Sequence, residues 1–122
     1  MIKATKPDDC SLYKTLGIIK GKWKPLILYH LKNDTQRYNA LHRLIVSVSP
    51  RILTLQLREL EKHKLIRRHI YTEVPPRVEY SLTKLGKSLI PILENLAEWR
   101  KYYNIDSDNA EPNNLVSRLK EK

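Results

Sequence analysis

Four polar side chains lie close together near the middle of the chain: Arg51, Thr54, Gln56 and Arg58. They form neither a nucleophile–base pair nor a metal-ligand set. They are donors of the types that reach phosphate oxygens and base edges in a major groove. Around them Leu53, Leu57 and Leu60 recur at helical spacing and, with Ile52, make one apolar stripe. A helix over about residues 49–63 would bury that stripe and turn Arg51, Thr54, Leu55, Arg58 and Lys62 outward. Ser49-Pro50 marks its start. Serine caps the first free N–H groups, and proline is favoured at the first helical position, where no N–H partner exists. Ser49 is itself a candidate contact.

The neighbouring elements decide what such a helix can do. Residues 65–71 and 77–82 read as two strands, the second with Val78, Tyr80 and Leu82 alternating against polar residues. Thr72-Glu73-Val74-Pro75-Pro76 between them is a loop, because its prolines lack donors and restrict the backbone. A helix followed at once by a hairpin is a winged arrangement: the helix would enter a groove, and the wing with Arg77 would lie along the backbone. Arg67 and Arg68 are further backbone candidates. Upstream, Asn33-Asp34-Thr35-Gln36 is a turn, and Tyr38, Leu41 and Leu44 lie on one face of a short helix beginning at Arg37. Ile45-Val46-Ser47-Val48 joins it to Ser49, which is helix-turn-helix geometry. Arg37 and Arg43 are candidates for phosphate contact, with a solvated face as the alternative for each.

The flanking segments are helical too. Leu12, Leu16 and Ile19 mark a short helix that Gly17 weakens and Gly21 ends. Pro25 opens a buried helix through Leu26-Ile27-Leu28, with Trp23 as its anchor. Thr83 caps a longer helix carrying Leu85, Leu89, Ile92, Leu93, Leu96, Trp99 and Tyr103, which Pro91 should kink rather than end. That stripe is too apolar to be only a cover for so small a domain, so a second copy is expected against it. The expected dimer interface comprises Leu12, Leu89, Ile92, Leu93, Leu96, Trp99 and Tyr103. The fold class expected is α+β, mostly α: a winged helix-turn-helix with a two-stranded β-hairpin wing and terminal helices forming a dimer interface. Residues 1–9 are expected to be flexible, 10–103 to form the domain, and 104–122 to be a polar, mobile tail.

Composition narrows the classes. The 122 residues suffice for one domain. The net charge of +10 is uneven: residues 1–82 carry 16 Lys and Arg against 7 Asp and Glu, and residues 83–122 carry 7 against 6. The basic excess therefore lies on the part expected to meet a polyanion, where counterion release supplies affinity without regard to sequence. No apolar run approaches the roughly 20 residues of a membrane span, and Met1–Lys6 has no secretory character. A cytoplasmic protein is expected. Cys10 is the single cysteine, so no intrachain disulfide forms, and His30, His42, His63 and His69 show no metal-site spacing with it. No glycine-rich phosphate loop, paired carboxylates or Cys/His pair with a supporting acid is present, so neither an enzyme nor a cofactor is expected.

In order, Cys10, Gly21-Lys22-Trp23, Leu26-Ile27-Leu28, Arg37-Tyr38-Asn39-Ala40-Leu41, Ser49-Pro50-Arg51-Ile52-Leu53, Leu57-Arg58-Glu59-Leu60-Glu61, Pro75-Pro76-Arg77-Val78-Glu79-Tyr80-Ser81-Leu82-Thr83 and Gly86 form a specific combination. Across about residues 10–103 the chain resembles HxlR-type winged-helix transcriptional regulators. The resemblance implies homodimers joined by their terminal helices, recognition helices in successive major grooves of an inverted-repeat operator, and wings over the flanking minor grooves. It also implies glycine where Ser47 and Lys64 stand, and a polar residue where Leu55 stands. Leu55 either contacts a thymine methyl or is a plain surface leucine. In similar regulators an N-terminal cysteine senses electrophiles or oxidants, which makes Cys10 a sensor candidate. An inert structural cysteine and a small-molecule inducer are the alternatives. Lys14 would favour a Cys10 thiolate, while Asp8 and Asp9 would oppose it. The competing function is a winged-helix module that binds a protein or coats DNA without reading it.

Overall fold

In the computed structural model the helix expected to open at Ser49-Pro50 does so, with Ser49 as its cap. The structure describes residues 9–105, with side chains to 103. The expected flexible N-terminus and polar tail lie almost wholly outside the described residues. The elements are α1 (Ser11–Ile18), α2 (Trp23–His30), β1 (Gln36–Arg37), α3 (Tyr38–Leu44), α4 (Pro50–Lys62), β2 (Ile66–Tyr71), β3 (Arg77–Leu82) and α5 (Lys84–Ile105). The chain divides into two units, Met1–Ile90 and Pro91–Lys122, and α5 runs through the division. Pro91 lies inside α5, which continues past it. Among the described residues no helix is long and apolar enough to cross a membrane.

In the first unit the core collects one face from each helix: Ile27, Leu28 and Leu31 at α2, Leu41 in α3, and Leu53, Leu57 and Leu60 in α4. Ile19, Leu65, Ile66 and Leu82 complete it. Leu26, Leu44 and Ile52, all expected in the core, turn outward. Leu44 is the last residue of α3; the chain leaves the helix there and buries Ile45 and Val48 instead. Ile52 is 39% exposed, because about 100° per residue puts it on the flank of the Leu53–Leu57–Leu60 stripe.

The wing is the expected hairpin, with one addition. β2 and β3 pair antiparallel from Ile66↔Leu82 to Tyr71↔Arg77. β3 also pairs with the two-residue β1 through Gln36↔Tyr80 and Arg37↔Glu79. The sheet thus has three strands in the order β1-β3-β2. A two-residue strand carries no alternation to read, so Gln36 looked like the end of a turn. Alternation along β2 sorts its arginines. Ile66, Arg68 and Ile70 share one face with Leu82, Tyr80 and Val78, whereas Arg67 pairs with Ser81 on the other.

α4 ends in a Schellman turn. The Leu65 N–H donates to the Leu60 carbonyl (3.0 Å) and the Lys64 N–H to that of Glu61 (2.9 Å), with Lys64 left-handed at φ 62°. Buried Leu60 and Leu65 supply the apolar contact of the motif. Ser47 is left-handed as well, at φ 80°. These are the two positions where the resemblance implied glycine, and a side chain there opposes the backbone geometry. Lys64→Gly should therefore stabilise the protein by about 1 kcal/mol, visible as a higher denaturation midpoint at unchanged m-value. A lower midpoint would mean that the turn carries no strain.

Candidate nucleic-acid interface

Ser49 begins the site. Its backbone is extended, its Oγ accepts from the Ile52 N–H at 3.1 Å, and Pro50 follows at the first helical position. With the leucine stripe buried beneath, α4 presents a shallow concavity lined by Pro50, Arg51, Thr54, Leu55 and Arg58. Leu55 is 54% exposed at its centre. Arg51 and Arg58 are exposed and have no carboxylate within ion-pair distance among the described residues. Gln56 does not join them. It is half-buried, toward the inner side of the helix.

Both flanks of α4 are held by polar contacts. On one, Tyr38 of α3 donates its hydroxyl to the Pro50 carbonyl (2.8 Å) and accepts from Thr54 Oγ1 (3.3 Å). Further along the same flank, Arg68 Nε of β2 lies 3.5 Å from Glu61 Oε1. The His42 ring stacks nearly parallel to Tyr38, and its Nε2 lies 3.0 Å from the Val48 carbonyl, tying α3 to the turn before α4. On the other flank, Lys24 of α2 donates to Glu59 Oε1 at 3.0 Å. Lys24 is only 1% exposed. Neither Lys24 nor Tyr38 was read as part of the site from sequence. Lys24 follows Trp23 in a basic stretch, and only the packing of α2 on α4 shows that its side chain turns in.

The remaining arginines differ in how committed they are. Arg43 is exposed on α3. Arg37 is exposed, with Glu79 4.0 Å away. Arg67 and Arg68 lie on opposite faces of the sheet, and Arg68 is paired with Glu61. Arg77 is drawn into the wing. It stacks 3.8 Å from the centre of the Tyr71 ring and lies 3.3 Å from Glu73 and 3.7 Å from Glu79. The wing tip itself, Thr72 to Pro76, carries no cation and exposes Val74 fully.

Two titrating groups register this packing. The hydrogen bond from Lys24 holds the Glu59 carboxylate below the ordinary glutamate range, against the opposing effect of burial. Burial raises the Tyr80 phenol above its usual value, against the pull of Arg68.

The expected interface for a second copy is largely open. Leu12 on α1 and Ile92, Leu96, Trp99 and Tyr103 on α5 are exposed, and Leu89 is half-buried. Leu93 is buried in the single chain. Cys10 is half-buried and caps α1 through its backbone, its carbonyl accepting from the Lys14 N–H at 3.1 Å.

An HxlR-like helix-turn-helix family model matches residues 18–108. The chain belongs to that family. It is 43% identical over 104 residues to the HTH-type transcriptional regulator YdeP of Bacillus subtilis (strain 168), covering 85% of this chain and 81% of that protein. An HTH-type transcriptional regulator of Methanothermobacter thermautotrophicus (strain Delta H) is 48% identical over 101 residues, 83% of this chain and 77% of that one. Among solved structures, the redox regulator HypR in its oxidised form superposes with a TM-score of 0.71 at 41% identity, over 84% of this chain and 99% of that one. Its reduced form gives 0.73 at the same identity, over 81% and 95%. This HxlR-family chain is thus a winged helix-turn-helix, DNA-binding transcriptional regulator.

The Glu59 shift has a consequence in acid. A carboxylate whose folded pKa is depressed contributes stability above its unfolded pKa and loses it as pH falls through the folded value. Wild-type melting temperature should therefore drop more steeply than that of Glu59→Gln as pH falls below about 4.3, the unfolded glutamate value. Parallel acid limbs for the two proteins would contradict the pairing.

Proposed function

We propose that the chain acts as a homodimeric, sequence-specific transcriptional regulator without enzymatic activity. α4 enters the major groove, and the wing lies on the flanking backbone and minor groove. The observation that carries this reading is the outer face of α4. Arg51 and Arg58 stand exposed and uncommitted beside Thr54 and Leu55, on a helix capped at Ser49 and held from both flanks. Uncommitted guanidiniums suit bidentate recognition of guanine, and a leucine suits the thymine methyl. Arg43 on α3 and Arg37 at the end of β1, with Arg67, are the phosphate candidates. Arg68 and Arg77 reach phosphates only by leaving Glu61, Glu73 or Glu79. Exposed Leu12, Ile92, Leu96, Trp99 and Tyr103 supply apolar area for a second copy, and two copies would set paired half-sites about one helical turn apart.

A thiol response at Cys10 goes with this reading, supported by the likeness to a redox regulator solved in both oxidation states. With one cysteine per chain, oxidation joins two Cys10 residues across the dimer or captures a small thiol. In the first case two thiols form one S–S bond and pass two hydrogens to the oxidant.

Selection from a random duplex library with reduced protein tests the main reading. An enriched inverted repeat is expected, and Arg58→Ala should then lose on the order of 1–3 kcal/mol on that site and relax one position. A pool that stays random while binding persists in low salt would leave charge acting alone, or a protein partner. For the thiol, Cys10→Ser should keep DNA binding and no longer be released by diamide. Release equal to wild type would rule out Cys10 as the sensor.

A further inference from the structure

Lys24 is buried and distant in sequence from α4, yet it donates a hydrogen bond to Glu59 of that helix. The apolar stripe of α4 is a weak constraint on rotation, because burial of Leu53, Leu57 and Leu60 is non-directional. Rotation is limited by the flanks. Tyr38 and Arg68 hold one side. Among the described residues, the Lys24–Glu59 pair is the one ion pair or side-chain hydrogen bond on the other side. Glu59 directly follows Arg58 along the helix. Side-chain tips on a helix stand about 6 Å from its axis, so a rotation of roughly 20° moves them by about 2 Å. A hydrogen bond tolerates only a few tenths of an ångström. Base reading therefore demands more angular control than the leucines supply.

We infer that Lys24 is a positioning residue for base reading: its buried ammonium, through Glu59, sets the rotation of α4 and hence the aim of Arg51, Thr54 and Arg58. The inference rests on the DNA-reading function proposed above. Lys24 is buried and Glu59 half-buried, and an ion pair so placed is seldom required for stability, since apolar residues of similar size often replace it without loss. That separates positioning from folding. Lys24 itself faces away from the DNA surface and touches no base, so its effect is on discrimination and not on backbone affinity.

The test is the double variant Lys24→Met/Glu59→Met, which removes one charge of each sign and leaves the net charge at +10. Wild type and variant are titrated on the duplex enriched by selection and on a shuffled duplex of equal length, over a series of salt concentrations, with melting temperatures measured alongside. The variant is expected to melt near wild type and to bind the shuffled duplex with unchanged affinity and salt dependence. Its preference for the enriched duplex should fall on the order of tenfold, the scale of one misaligned bidentate base contact. Equal preference in wild type and a folded variant overturns the role of Lys24 and leaves the DNA-reading function standing. A wild type with no preference overturns that function and this inference with it. If the double variant does not fold, Glu59→Asp decides, since it keeps both charges and withdraws the carboxylate by one methylene: reduced preference supports positioning, and unchanged preference overturns it.

Discussion

Leu65 is where three parts of the first unit are tied to a single residue. Its N–H closes the turn at the end of α4, and its carbonyl accepts from the Thr83 N–H at 3.1 Å. The Thr83 hydroxyl stands 2.6 Å from the Lys64 carbonyl and 3.1 Å from that of Leu65, and accepts from the Gly86 N–H at 3.0 Å to cap α5. Gly86 belongs to this knot. A side chain there would overlap the Leu65 carbonyl oxygen, so only glycine lets the first turn of α5 lie against the start of the wing. The end of one helix, the root of the hairpin and the beginning of the next helix share one set of backbone hydrogen bonds. Displacing any one would leave buried polar groups unpaired, which costs more than the bonds themselves contribute.

That knot places α4 along its axis, and the flanking contacts place it in rotation. The result separates the cations of the first unit into two kinds. Arg68, Arg77 and Lys24 face carboxylates and act on the scaffold. Arg51 and Arg58 face outward with none. The total of 23 Lys and Arg therefore overstates the cations free to meet a polyanion.

Much of this was legible in the sequence where a pattern repeats over a turn or more. Ser49-Pro50 with Leu53, Leu57 and Leu60 marked α4, and the alternation of Val78, Tyr80 and Leu82 marked β3. Thr83 as a helix cap and the reach of α5 past Pro91 were legible from local chemistry. Ser47 and Lys64 were identified as places for glycine by resemblance, and both proved left-handed. The misses have two causes. β1 is two residues long and exists only through its pairing with β3, which no window of local sequence contains. Leu44, Ile52 and Gln56 turn on helix phase and helix ends, finer than an apolar pattern resolves.

The sequence by itself determined the elements, their order and the donor types on the outer face of α4, because backbone capping, helical periodicity and strand alternation act between residues close in the chain. Only the tertiary structure decided which charges are free. Lys24 meets Glu59 across 35 positions, and Arg68 meets Glu61 only because the hairpin folds back beside α4. Arg77 meets Tyr71 through strand pairing, Glu79 two residues along its own strand and Glu73 across the loop. Ionic and hydrogen-bonded pairing depends on distances of a few ångströms, and those exist only once the chain has packed.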